Sequence, residues 1–176
     1  MAATFIFWLV ILSGLVALRI FGGRPAIVTL LEYQRAVLYR RGLPEVEIGK
    51  GRHNVFTGIE KLIIVDTRPI HVSYENQCVA LRDSSSAVYG ISGNARVQDA
   101  WKALYSASNF SHVPSYVLLC CARQVLNGCT SMQLKTNKDS VVEQIISLSK
   151  HRLAASGFEL LSFRMSQCTV TERIFD

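Results

Sequence analysis

Four histidines and five cysteines are the residues of this chain best suited to metal or nucleophilic chemistry. A structural zinc site wants such ligands in close pairs, and a zinc protease wants two histidines one helical turn apart. His53, His71, His112 and His151 are scattered, with neither spacing among them. Cys78, Cys129 and Cys168 are isolated, Cys120 and Cys121 are adjacent, and no Cys-x-x-Cys occurs. The adjacent pair falls in a helical pattern with Cys121 on its apolar side, which reads as burial of small apolar groups; acylation or redox sensing is the functional alternative. Ser147-x-x-Lys150 has the spacing of the nucleophile motif of penicillin-binding enzymes, without the companion motifs. Gly90-Ile91-Ser92-Gly93 falls short of a nucleophile elbow, and Gly49-Lys50-Gly51 reads as a turn, since it matches no phosphate-binding loop. No carboxylate pair stands out as an acid–base dyad. The reading assigns no catalytic residue, no cofactor and no metal site, and expects a protein that is not an enzyme.

The elements around these residues say more. At 176 residues the chain is long enough for one domain with a real core plus an appendage. Its hydrophobic content of 49% is concentrated at the N-terminus, where Ala2–Leu18 is 17 residues without a charge. As a helix that stretch spans about 25 Å, and Ile20 and Phe21 extend it towards the roughly 30 Å of a hydrocarbon core if Arg19 snorkels. Phe5, Phe7, Trp8, Leu9, Ile11, Leu12, Leu15, Val16, Leu18 and Phe21 are its candidate lipid contacts. The Phe, Ile, Leu and Val side chains between Phe5 and Leu18 favour insertion by about 3–6 kcal/mol. A removable signal peptide is the rival, but the positive n-region and small-x-small cleavage site that it wants are missing. Residues 1–23 are therefore expected to be a single-pass membrane anchor.

Charge orients it. Between Arg19 and Arg52 seven basic residues face three acidic ones, which places +4 of the chain's net +6 just beyond the apolar run. The positive-inside tendency puts the rest of the chain on the cytoplasmic side, in keeping with an odd cysteine count and a vicinal pair. Anionic lipid attracts such residues by about 1 kcal/mol for each one near the surface. Arg19, Arg24, Arg35, Arg40 and Arg41 are the candidates for contact with the membrane surface or a neighbouring subunit. Nucleic acid, the competing partner of a basic protein, has no recognition motif here.

Beyond Gly22-Gly23-Arg24-Pro25 the texture is extended from Ile27 to Arg40, then again about Glu45–Ile48, with GKGRHN (Gly49–Asn54) as a turn. Lys61–Asp66 is strand-sized, and Ile70–Leu81 with Ala87–Arg96 flanks the polar cluster Arg82–Ser86 as a hairpin. Helical spacing then takes over: a short helix in Gln98–Ser106, and a second capped by Ser111 and running to about Asn127, with Val117, Leu118, Cys121, Val125 and Leu126 on its apolar side. A third helix begins at Thr136 and Asp139, carries Val141, Val142, Ile145, Ile146, Leu148 and Leu153, and stops at Gly157. Phe158–Val170 returns to strand. Several strands, then helices, then a last strand make an α+β chain with segregated layers.

The ordered set of phrases EYQRAVLYRRG (Glu32–Gly42), GIEKLIIVDTRPIHV (Gly58–Val72), VQDAWKALYSASNF (Val97–Phe110), PSYVLLCCARQVLNG (Pro114–Gly128), SMQL (Ser131–Leu134) and ASGFELLSF (Ala155–Phe163) resembles the SPFH, or band 7, domain of stomatins, prohibitins and flotillins. The resemblance covers about residues 27–170 and implies an SPFH-type domain over 24–172, with 173–176 a tail without the family's usual coiled coil. It implies a membrane-anchored scaffold that self-associates with its own kind or with SPFH relatives. Such a scaffold organises membrane patches and regulates a partner membrane protein such as a protease or channel. The bent hairpin of some stomatin-like members rests on a proline that Phe5–Phe21 lacks, so a straight span is expected. The alternatives are a membrane-bound hydrolase or protease component, or an accessory subunit of a membrane complex. Trp101 is read as core or as a contact element.

Overall fold

The computed structural model describes Trp8, residues 11–14 and residues 24–171. Trp8, Ile11 and Leu12 are helical and exposed; the remaining expected anchor residues (Phe5, Phe7, Leu9, Leu15, Val16, Leu18 and Phe21), Arg19 and the 173–176 tail lie outside the described residues. Among the described residues no helix is long and apolar enough to cross a membrane.

The chain divides into two compact units at Asp66/Thr67, both reaching into the span 24–172 that the sequence reading took as one domain. In the first, β1 (Arg24–Leu30), β2 (Gln34–Arg40), β3 (Leu43–Ile48), β4 (Gly51–Thr57) and β5 (Glu60–Asp66) form one sheet in the order β1-β4-β5-β2-β3. The expected continuous strand Ile27–Arg40 is broken after Leu30. The Gln34 amide donates to the Leu31 carbonyl at 3.0 Å, and the Gln34 side chain accepts from Leu31 N–H at 3.1 Å, closing a tight turn. The two halves then pair with different partners: β1 runs antiparallel to β4, and β2 lies between β3 and β5. GKGRHN is a turn only at its start, because β4 begins at Gly51. Val55 is the buried residue of that strand, facing the interior where Leu30, Val37 and Val65 also lie. β2 and β3 are joined by Arg41 and Gly42, both at positive φ (52° and 83°). That is the backbone of a two-residue hairpin whose twist suits its strands.

The second unit has a three-stranded antiparallel sheet, β6 (Ile70–Ala80), β7 (Ser86–Val97) and β8 (Phe158–Thr171), with β7 in the middle. Alternation along β7 sends Ala87, Tyr89, Ile91, Gly93, Ala95 and Val97 to a fully covered face. Between β7 and β8 come α1 (Ala100–Ser106), a 3₁₀ turn (Phe110–His112), α2 (Val113–Gly128), α3 (Ser131–Thr136) and α4 (Lys138–Ala155). α2 lies against β6, α4 against β8, and the two helices pack on each other. The buried stripe of α2 is Pro114, Leu118, Cys121, Ala122 and Leu126; that of α4 is Val141, Ile145, Ser149 and Leu153, narrower than the sequence suggested. Thr130 opens α3 with a reciprocal capping box to Gln133. Ser111 does not cap α2: its hydroxyl bonds Asn109, and α2 starts after the 3₁₀ turn. Gly157 ends α4 at φ +81°, and a Cβ there would lie 2.6 Å from the Asp99 carbonyl oxygen. The α+β order of the sequence reading holds.

Candidate functional site

The residues singled out for chemistry are not brought together. His71 Nδ1 lies 2.9 Å from Asn94 Oδ1, and Asn94 in turn donates to Ser162 at 3.0 Å, a polar row across β6, β7 and β8. His53 Nε2 bonds the Gly49 carbonyl at 2.9 Å. No cluster of three or more metal-ligating side chains occurs among the described residues, and all five cysteines are free. Cys121 and Cys129 are buried, Cys120 and Cys168 half-buried, and burial pushes the Cys129 and Cys168 thiols up, away from the reactive thiolate. Ser147 and Lys150 are both exposed on α4, and Gly90–Gly93 lies inside β7, far from the strand-to-helix turn of a nucleophile elbow. Lys50 of the Gly49–Gly51 turn is paired with Glu32 at 2.9 Å.

The arginines give a more organised picture. One end of the first sheet gathers the start of β1, the Arg41-Gly42 hairpin and the Gly58-Ile59 turn; a bond from Arg41 N–H to the Ile59 carbonyl at 3.1 Å joins the hairpin to that turn. Arg40 reaches Glu60 at 2.7 Å and Glu45 at 2.8 Å. Glu60 also accepts the Phe56 amide at 2.8 Å. That backbone bond, and Arg40 after it, lower the Glu60 carboxyl from its ordinary range; Glu60 and Glu45 raise Arg40 in return. Arg40 therefore clips three strands together. Arg35 bonds Glu47 at 3.1 Å across β2 and β3.

Of the five basic candidates, Arg41 stands exposed at this end, beside Leu43 at 72% exposure and the half-exposed Phe56. Arg24 opens β1. Arg35 and Arg40 are engaged within their own sheet. Sequence reasoning missed their acidic partners, although Glu45 and Glu47 two residues apart on a strand next to an arginine-bearing one were a legible signal. Trp101 is half-buried and stacks on Tyr105 with ring centroids 6.1 Å apart.

A family model described as the SPFH domain / Band 7 family matches residues 28–176. The chain belongs to the SPFH/band 7 family. The match spans both units, so the five-stranded sheet and the helix-covered sheet are two parts of one SPFH domain. A search of curated proteins found no match to the chain. In this SPFH protein the described residues offer paired charges, a hairpin tip and sheet faces, features suited to contact with other surfaces.

Proposed function

We propose that this SPFH protein is a membrane-anchored scaffold. Residues 2–18 enter the bilayer, the domain stands on the cytoplasmic side, and tethered copies associate with one another to hold lipids and a partner membrane protein in one patch. Membership of the family carries the reading, with one observation particular to this chain beside it. The uncharged run Ala2–Leu18 leads within a few residues into β1, at the end of the sheet where Arg41, Leu43 and Phe56 are exposed.

The mechanism is geometric. Tethering turns a weak contact between domains into an effectively intramolecular one, with local concentrations of about the millimolar range, so small contacts add. Arg41 would meet lipid headgroups while Leu43 and Phe56 reach the apolar boundary, and the Arg40–Glu45–Glu60 cluster would keep the hairpin rigid at that surface. Partners would be recognised by the assembled patch, without a catalytic step.

Alkaline carbonate extraction of membranes carrying the full chain tests the anchor. The chain is expected in the pellet, and replacing Leu9, Leu12 and Val16 together by Asp is expected to release it. Release of the unaltered chain into the supernatant would overturn the reading.

A further inference from the structure

The alternation of β2, β3 and β5 gives this three-stranded block two apolar faces. On one side Val37 and Val65 belong to the interior. On the other, the register sets Ile48, Ala36 and Ile64 in one row and Val46, Leu38 and Leu62 in the next. Ala36 is covered by its neighbours, while Val46 and Ile64 are 51% and 46% exposed. An antiparallel sheet with a solvated face alternates apolar and polar residues, and this one does not. The rows end on Arg40 opposite Glu60 at one side and Gln34 opposite Asp66 at the other, an apolar centre inside a polar rim.

The free sheet edges are poor places for association. β1 carries Pro25 and β3 carries Pro44, Glu45 and Glu47. The ladder of β6 is interrupted at Tyr74/Gln77, with Asn76 at φ 55°, and that of β8 is interrupted twice. Prolines, charges and bulges are the standard guards against strand addition. Faces remain.

We infer that the outer face of β2–β3–β5 is the surface on which a second copy of this chain docks, an assignment that rests on the self-associating scaffold reading. Charge selects that occupant. The chain as a whole is +6, which makes copies repel, yet this face is rimmed by Arg40 against Glu60, Asp66 and the adjoining Glu45, while Arg35, Glu47 and Lys61 belong to the other side by register. The face therefore lacks the positive excess of the rest of the chain, and Arg40 is already satisfied by Glu45 and Glu60. Two copies meeting here escape the repulsion they would feel elsewhere. Anionic lipid gains nothing from a face bordered by carboxylates. From strand spacing the apolar block covers on the order of 300 Å², against roughly 800 Å² per partner in a stable complex. The contact is therefore weak in free solution and becomes populated when anchors crowd the copies together.

The test places a photoreactive benzophenone amino acid at Ile64 of the full chain in phosphatidylcholine vesicles, with the same group at the exposed Ile27 of β1 as control. The Ile64 probe is expected to give a chain-to-chain adduct mapping to β2–β3–β5 of the second copy, well above the Ile27 probe. Val46→Asp should lower its yield about tenfold, as for a charge forced into an apolar contact. Should that variant fail to fold by circular dichroism, Val46→Thr, with a smaller loss expected, decides instead. An adduct to lipid, an adduct to residues 67–171 of the same chain, or a yield indifferent to Val46 would overturn the assignment. The two readings fail differently. Oligomers that persist with adducts elsewhere remove this face alone, whereas single chains at every surface density remove the scaffold reading as well.

Discussion

The two units solve the same problem, an apolar sheet face, in different ways. In the second, α2 and α4 lie on the inner face of β6–β7–β8, and Tyr89, Ile91, Leu118, Leu126, Ile145 and Phe158 are buried almost completely. In the first, no helix lies among the described residues from Arg24 to Asp66, and the outer face of β2–β3–β5 keeps Val46 and Ile64 about half exposed. One sheet is covered by its own chain; the other carries apolar surface that its own strands do not cover. Stability is therefore expected to reside in the second unit and contact with other molecules in the first.

Removing buried volume is the strongest way to sharpen that contrast. Ile145→Ala, at the centre of the α4 stripe, is expected to cost about 2–5 kcal/mol, while Val46→Ala on the open face should cost well under about 1 kcal/mol. Urea melts of both variants check the difference, and equal losses would break it. Next in size is Gly157→Ala. Its φ of +81° and a Cβ only 2.6 Å from the Asp99 carbonyl oxygen and 2.7 Å from Ala103 N leave no room. A loss of about 2–4 kcal/mol in the same melts is expected.

Acid probes the second unit through a turn. Asp83 accepts from Ser85 and from the Ser131 amide at 2.7 Å, so it pins the β6–β7 turn to the start of α3. The Ser131 and Ser85 bonds hold its carboxyl far below the ordinary 3.8. A lowered folded-state value favours folding above the unfolded value, and that contribution is lost as pH falls below about 3.8 towards the folded one. Thermal melts from pH 7 to pH 2 should show a steeper acid loss for the unaltered chain than for Asp83→Asn, whose melting point starts lower. Parallel curves would remove Asp83 as the pin.

The smallest effect has the opposite sign. Ser149 is fully buried on α4 and its hydroxyl has no partner among the described residues. Ser149→Ala deletes an unsatisfied polar group and raises helix propensity, so no change or a gain of up to about 1 kcal/mol is expected. A loss would reveal a hydrogen bond at that hydroxyl.

The order of strands and helices was legible because the period of the apolar residues changes near Gln98, and because Gly42, the Asp83–Ser86 cluster and Gly157 mark their turns by type. The break after Leu30 was hidden: the turn contains neither glycine nor proline and is closed by the side chain of Gln34, an interaction that composition does not reveal. β4 was hidden for a related reason. Arg52, His53 and Asn54 look like a loop, yet a strand needs only Val55 on its inner side to be held there. Thr130 and Gln133 did carry the capping signal of α3. As for the candidate site, the basic residues themselves were readable, but their pairing was not. Arg40 and Glu60 are 20 positions apart and meet only because β2 lies against β5. The apolar outer face depends on register in the same way.

The central claim is tested most directly by counting subunits of the full chain in lipid bilayers at increasing surface density, by stepwise photobleaching of a single C-terminal label. Clusters that grow with density, from mostly single copies at the most dilute coverage, are the expected result. Single copies at every density, or a fixed pairing with one foreign chain in native membranes, would contradict the account.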